Sequence, residues 1–337
     1  MMTLKEELAR LELGDAREFR NLTVCPLLRP AGAAAEPDYL LLEEAIASGA
    51  ARVTEVSGGG SVPELRLENR GERPVLLLDG EELVGAKQNR VLNLTILAAG
   101  KKETAIPVSC VEAGRWRMDT PEFAPAPHVM YAMARAQRAS QVTESMRTTG
   151  GRRSDQGAVW DDIAMKAERM AAHSPTGAMN AIYEKHGQRL EEYLRAFECQ
   201  ERQAGVVFRI GGKATGLDLL DHAASMRKVF PKLIRSYALD ALDCEGARAE
   251  GNGHWATEML ERVSAALAFA EPAVGLGKDV RLAGEGLSGA ALWAERRYVH
   301  VCAFAGEGIG DAPRWRTRIR RPSRRGGYGH QTEGEVD

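Results

Sequence analysis

The chain has 337 residues, of which 44% are hydrophobic and 27% are charged, and its net charge is -2. This length allows one large domain or two medium ones, and the near-neutral charge excludes a general attraction to nucleic acid or membranes. No apolar run approaches the ~20 residues of a membrane-spanning helix, and the acidic start of the chain lacks the apolar segment of a signal peptide. We therefore expect a cytoplasmic protein.

The first third of the chain has the pattern of β-structure. Turn-forming segments separate short apolar runs, which lie at residues 22–28, 39–46, 53–56, 64–69 and 75–78. Residues 39–47 also favour a helix, so both assignments stay open there. The glycines at 58–60 lack the following Lys-Ser/Thr pair of a phosphate loop and predict a turn.

Polar side chains are dense between residues 76 and 116. An Asp-Gly-Glu-Glu motif occupies residues 79–82, and two strand-like segments follow at 87–96 and 106–112. Apolar and polar residues alternate in both segments, which is the pattern of half-buried strands. A turn at 98–101 predicts that they form an antiparallel hairpin.

Each of these two strands ends its apolar stripe with a charged residue. If Ile96 lies opposite Ile106, Arg90 lies opposite Glu112, and a two-residue shift makes them diagonal neighbours. Since an unpaired buried arginine is costly, we expect Glu112 to pair with Arg90, with Glu82 as the competing partner. The cluster is then either a structural ion pair or a pocket in which Arg90 and Lys87 bind an anion beside a catalytic carboxylate.

The segment after Trp116 begins with three prolines between 121 and 127, which predict an extended crossing, followed by a helix at 128–140 and a loop at 148–154. The second half is mainly helical. Ser174 and Pro175 predict a helix start, with the helix continuing to Phe197. The further predicted helices lie at 160–172, 218–242 with a kink at Pro231, and 255–269. The predicted strands of this half lie at 203–210, 213–217, 280–282, 290–294 and 298–304.

The five cysteines are scattered and include no CxxC pair, which argues against a disulfide framework or a thiolate zinc site. Cys110 continues the apolar stripe of its strand, so we expect it to act as a small core residue. The seven histidines form no HxxxH or HExxH motif, and no metal ligand or cofactor is proposed.

These patterns predict an α+β protein with a β-rich, sandwich-like layer packed against a C-terminal helical half that contains a small antiparallel sheet. The β-rich part spans residues 1–118, the crossing 119–157 and the C-terminal part 158–310, although a single composite domain is equally compatible with the sequence. Seven arginines crowd residues 311–337, for which we predict a disordered basic tail. Nucleic-acid contact is expected at most through this tail.

The sequences at 77–90 and 106–116 resemble the uncharacterised prokaryotic family named for its association with ADP-ribosylglycohydrolase, rhodanese and phosphatase-superfamily genes. The resemblance covers roughly residues 17–305 and includes Ser174-Pro175-Thr176 and residues 232–242. It implies a setting near NAD and ADP-ribose chemistry. It implies no established reaction, and no catalytic residue follows from it.

Two classes of function remain. In the first, the protein binds or processes ADP-ribose-like or other phosphate-bearing nucleotides. The ligand-binding candidates of this class are Lys87, Gln88, Arg90 and Arg115, of which the three cations would contact the anion. Glu82 or Glu112 would then act as general base or acid. In the second class, the protein is a non-catalytic adaptor or sensor for a partner enzyme, and the polar cluster only organises the sheet.

Overall fold

A computed structural model describes residues 2–32, 36–57, 59–246 and 253–306. The described strands, numbered β1 to β18 in chain order, are Glu12–Leu13, Arg17–Phe19, Leu22–Leu28, Leu40–Leu41, Ala51–Glu55, Glu64–Asn69, Val75–Leu77, Glu81–Gly85, Arg90–Leu92, Ile96–Ala98, Lys102–Cys110, Phe123–Val129, Gln203–Ile210, Lys213–Leu220, Leu267–Pro272, Lys278–Gly284, Leu287–Ala294 and Arg297–Ala305. The described helices, α1 to α8, are Leu4–Leu8, Leu42–Ala47, Ala132–Thr149, Gln156–Arg169, Asn180–Lys185, Gly187–Ala196, Ala223–Asp243 and Trp255–Ala265.

The strands form a large sheet, a curled sheet and a small sheet. The large sheet has the order β1-β3-β13-β14-β18-β17-β16-β15, with β2 paired to β3. The curled sheet has the order β12-β8-β9-β11-β6-β5, and the small sheet has the order β10-β7-β4. The predicted α+β class is confirmed. Strands β1 to β3 lie in the large sheet with the strands of the C-terminal half, although their residues precede the predicted boundary near residue 118.

The curled sheet bends until its end strands β5 and β12 are in contact. Its interior is filled by alternating apolar residues, as the period of two requires. The buried side chains of this interior are Val53, Leu65, Leu67, Leu83, Leu92, Ile106, Val108 and Phe123. β12 carries Pro125 and Pro127 and lies at the end of the hydrogen-bonded order, where a strand tolerates missing N–H donors.

Helix α7 packs between the curled sheet and the large sheet, and helix α3 packs on the large sheet. α7 packs against β12 and β13, and α3 packs against β17 and β18. α3 ends at Gly150, whose φ of +68° suits glycine in the left-handed region. None of the helices in the described part of the chain has the length and hydropathy that a membrane span needs. The predicted basic tail, residues 311–337, lies outside the described residues.

The predicted hairpin between 87–96 and 106–112 forms only in part. Ile96 pairs with Leu77 of the small sheet, and Ile106 pairs with Leu65. The first segment bends because Asn93 and Thr95 find partners elsewhere: Asn93 donates to the carbonyl of Arg152, and Thr95 accepts from the amide of Asp79. Of the first segment, only residues 90–92, which form β9, pair with β11.

Several predicted helix boundaries also change. The helices predicted at 128–140 and 160–172 are found at Ala132–Thr149 and Gln156–Arg169. The sequence 174–177 forms a turn closed by a hydrogen bond from Gly177 N to Ser174 O, and the helix begins only at Asn180. Gly177 has a φ of +63°, which stops a helix from starting at Ser174. Asp218 lies in β14, so α7 begins five residues later. The final helix ends at Ala265, and residues 267–272 form the edge strand β15.

Candidate functional site

The acidic motif at residues 79–82 binds the curled sheet to two helices and binds one strand of the sheet to its neighbour. Asp79 accepts from Arg138 of α3 at 2.8 Å, Glu81 accepts from Lys232 of α7 at 3.1 Å, and Glu82 lies 2.7 Å from His128 of β12. These three carboxylates are all buried. The motif therefore holds helices and strands together.

Arg135 joins this motif to the large sheet. Its guanidinium donates to Asp79 at 3.2 Å and to Asp218 of β14 at 2.7 and 3.2 Å. Burial raises the pKa of Asp218, but the charge of Arg135 and the contact with His300 outweigh it and hold this pKa below its usual value. All four side chains are almost fully buried, so the cluster is an internal charge network.

Glu82 and Arg90 lie on opposite faces of the curled sheet. Arg90 pairs with Leu83 across β8 and β9, whereas Glu82 pairs with Val91. Since neighbouring residues of a strand point to opposite faces, Glu82 is directed away from Arg90. Thus the structure does not bring Glu82 together with the predicted anion-binding residues.

Glu112 pairs with Arg115 rather than with Arg90. Its carboxylate accepts from Arg115 Nη2 at 2.7 Å, from Thr176 Oγ1 at 2.7 Å and from the amide of Asn89 at 3.1 Å. The expected ion pair between Arg90 and Glu112 is therefore wrong. The pairing of the two strands is shifted by two residues from the register that places Arg90 opposite Glu112, because Arg90 lies opposite Cys110.

This binding fixes the protonation state of Glu112. Burial raises the pKa of its carboxyl, but the hydrogen bonds from Arg115 and Thr176 outweigh burial and leave the pKa below its usual value. Glu112 is then ionised at neutral pH. Arg115 also donates to the carbonyls of Gly85 and Ala86, so its guanidinium holds the turn before β9.

Arg90 lies at one end of the curled sheet's interior. Across the sheet, Glu55 pairs with Leu65, Leu65 pairs with Ile106, and Cys110, four residues further along β11, pairs with Arg90. Paired residues and alternate residues share a face, so Glu55, Cys110 and Arg90 all point into the interior. Arg90 is 0% exposed and Glu55 is 6% exposed. The apolar interior thus ends in a buried polar group, which we call the Arg90 cluster.

The guanidinium of Arg90 is only partly bound. Its Nη1 donates to Gln88 Oε1 at 3.0 Å and to the carbonyl of Asn89 at 3.4 Å. Its Nε and Nη2 have no hydrogen-bond partner, and no carboxylate of the described residues lies within 4.0 Å of its nitrogens. Burial lowers the pKa of Arg90, although the shift leaves an arginine charged.

Gln88 holds Arg90 and Cys110 together. Its Oε1 accepts from Arg90 and from the Cys110 thiol at 3.1 Å, and its Nε2 donates to the carbonyl of Glu112 at 3.0 Å. Burial raises the pKa of Cys110, which is fully buried and is therefore a thiol at neutral pH. Gln88 contacts Arg90 directly and acts as a positioning residue within the Arg90 cluster.

Trp116 and Lys87 cover the outer side of the Arg90 cluster. The Trp116 ring lies 5.7 Å from the Arg90 guanidinium carbon and 5.2 Å from Lys87 Nζ, both within cation–π range. Trp116 is nevertheless 49% exposed, and Lys87 Nζ donates to the carbonyl of Gly59 at 2.7 Å. A half-exposed aromatic ring and a half-buried cation thus lie above a buried guanidinium.

Glu55 is the member of the cluster that sequence reasoning missed. It follows Ala51 and Val53 at every second position, so a charge ends an apolar stripe there, as it does at Arg90 and Glu112. Applied to β5, the same signal identifies Glu55. His128 and Arg135, the partners of the acidic motif, lie more than 40 residues from their carboxylates, and no local pattern pairs them.

The geometry defines an α+β protein with a buried, partly unsatisfied arginine beneath an exposed tryptophan. The family model of ARPP-1, the ARG and Rhodanese-Phosphatase-superfamily-associated Protein domain, matches residues 10–304. The chain belongs to this family, and the resemblance noted in the sequence is confirmed. Searches of the curated proteins and of the solved structures gave no match.

Proposed function

We propose that this protein binds a phosphate-bearing nucleotide metabolite of the ADP-ribose type at the Arg90 cluster. The observation that carries the proposal is the buried Nε–Nη2 edge of Arg90, which has no hydrogen-bond partner among the described residues. These two N–H groups point in parallel and match two oxygens of a phosphate. An arginine buried without such a partner costs several kcal/mol or more, so a ligand that supplies one gains affinity there.

The cover of the cluster supports a nucleotide over a simple anion. The exposed face of Trp116 offers an adenine ring a stacking surface, and Lys87 offers a second cation for a phosphate. Since Trp116 lies above Arg90, the side chain of Trp116 moves aside for the phosphate to enter. The family's association with ADP-ribosylglycohydrolase genes supports the same ligand class.

The structure supports unequal roles for the proposed site residues. Arg90 and Lys87 are assigned to the ligand, and Gln88 orients Arg90. Arg115 is engaged by Glu112 and by carbonyls of its own turn, so its contribution is to hold that turn. The acid–base roles of Glu82 and Glu112 stay predictions, with Glu112 as the base.

Calorimetric titration with ADP-ribose tests the proposal. We expect binding by the parent protein, a loss of about 100-fold for Arg90→Met, and a several-fold loss for Lys87→Ala. Arg117→Ala is the matched control, since Arg117 lies beside Trp116 but has a side chain that is 83% exposed and pairs with Asp119. No binding by the parent, or equal binding by Arg90→Met, would overturn the proposal.

The adaptor is the second candidate function. It is favoured by the observation that the carboxylates of the acidic motif, Asp79, Glu81 and Glu82, all bind other parts of the same chain. In this view the motif preserves a rigid body for a partner protein. A parent protein that binds no ADP-ribose in the titration favours this candidate.

A further inference from the structure

Glu55 presents an unused carboxylate at the Arg90 cluster. Both its oxygens are buried and have no hydrogen-bond partner, and it makes no ion pair within 4.0 Å among the described residues. It shares the interior face with Arg90, whose Nε and Nη2 also lack partners. Two acceptors and two donors are thus left open in one buried group.

The positive charge of Arg90 offsets the negative charge of Glu55, but the two side chains do not bond each other. A buried carboxylate gains from N–H or O–H donors, just as the guanidinium gains from acceptors. A purely anionic ligand satisfies only Arg90 and is repelled by Glu55. The ligand that satisfies both carries an anionic group and, beside it, a pair of hydroxyl donors.

We infer that Glu55 binds the vicinal hydroxyl groups of a ribose whose phosphate is held by Arg90. This inference rests on the proposed function and names the part of the nucleotide that enters the cluster. The 2′ and 3′ hydroxyls of the adenosine ribose donate to the two oxygens of Glu55, as acidic residues bind ribose hydroxyls in dinucleotide-binding folds. The adenine then stacks on Trp116.

The same arrangement makes Glu55 a specificity-determining residue. Removing one hydroxyl leaves a buried carboxylate oxygen without a donor, and a site built to bind a hydroxyl discriminates strongly against the analogue that lacks it. We expect the parent protein to bind ADP-ribose at least about 10-fold more tightly than the analogue carrying 2′-deoxyadenosine.

Titration of the parent with both compounds tests the inference without any variant. Equal affinities overturn it while leaving the proposed function intact, and no binding of ADP-ribose overturns both. Glu55→Gln keeps the shape of the side chain but replaces one acceptor by a donor. We expect this variant to lose about 10-fold or more in affinity for ADP-ribose and to bind the two compounds almost equally.

Glu64→Gln is the matched control, because Glu64 is exposed and begins the neighbouring strand β6. It is expected to retain the affinity and the discrimination of the parent. A Glu55→Gln protein that melts like the parent and still prefers ADP-ribose over the deoxy analogue would also overturn the inference.

Discussion

Arg135 donates from Nε to Asp79 at 3.2 Å and from its other two nitrogens to Asp218, so all three of its nitrogens are bound to carboxylates. Arg90 is equally buried, but two of its nitrogens have no partner. The two arginines thus differ in what they contribute to the fold, and the difference is measurable as stability.

We predict that Arg135→Met lowers the free energy of unfolding by about 3–5 kcal/mol, because it removes the arginine that compensates the buried charge of Asp218 and leaves Asp79 with Arg138 alone. Arg90→Met should lose less, since Arg90 bonds the neutral Gln88 and the carbonyl of Asn89, and Glu55, whose charge it offsets, lies beyond the 4.0 Å of an ion pair. Urea unfolding of both variants measures the difference. Equal losses would mean that Arg90 is a structural residue and would argue against its assignment to a ligand.

Gly80 is predicted to tolerate no side chain. It has a φ of +83°, and a Cβ atom there would lie 3.0 Å from Cδ of Arg135, whose guanidinium is fixed by two carboxylates. Gly80→Ala should therefore cost about 1–2 kcal/mol of backbone strain and a further loss from displacing Arg135.

Gly150→Ala separates these two effects, because Gly150 has a φ of +68° but nothing within 4 Å of its Cβ position. We expect thermal or urea unfolding to show a larger loss for Gly80→Ala than for Gly150→Ala. Losses of the same size would show that Arg135 moves freely and that the charge network is loose.

The stability of the protein should depend on the ionisation of Glu112. Its pKa is lowered in the folded protein from an ordinary value of 4.5, so the unfolded chain binds a proton more readily. The stabilisation from Glu112 is then complete above pH 4.5 and is lost as the pH falls through the folded-state pKa.

Urea unfolding between pH 7 and pH 3 measures this dependence. Glu112→Gln does not titrate, so we expect it to be less stable than the parent at pH 7 and to approach the parent as the pH falls. Glu103→Gln, an exposed site on β11, serves as the control and should follow the parent throughout. A gap between Glu112→Gln and the parent that stays constant with pH would contradict the lowered pKa.

The sequence predicts the limits of those strands that are defined by neighbouring residues. The strands at 22–28, 64–69 and 203–210 have the predicted limits, because apolar alternation between turn residues defines each of them. The pairing of strands was not predictable in the same way. Asn93 and Thr95 were assigned to a continuous strand, but their side chains bond to residues more than 50 and 200 positions away and bend the chain.

The candidate site shows the same division. The sequence correctly directed Arg90 and Cys110 into the interior, since both continue apolar stripes. It did not predict that Glu112 would bind Arg115, because that choice depends on the register and on Thr176, which is 64 residues away. A charge at the end of an apolar stripe therefore predicts burial well, but it does not identify the partner.

A crystal structure of the protein in complex with ADP-ribose tests most directly the central claim that Arg90 binds a phosphate. The account predicts a phosphate group with two oxygens within about 3.2 Å of Nε and Nη2 of Arg90, and a displaced Trp116 side chain. ADP-ribose bound at another surface, with the Nε–Nη2 edge of Arg90 still without a phosphate, would contradict it.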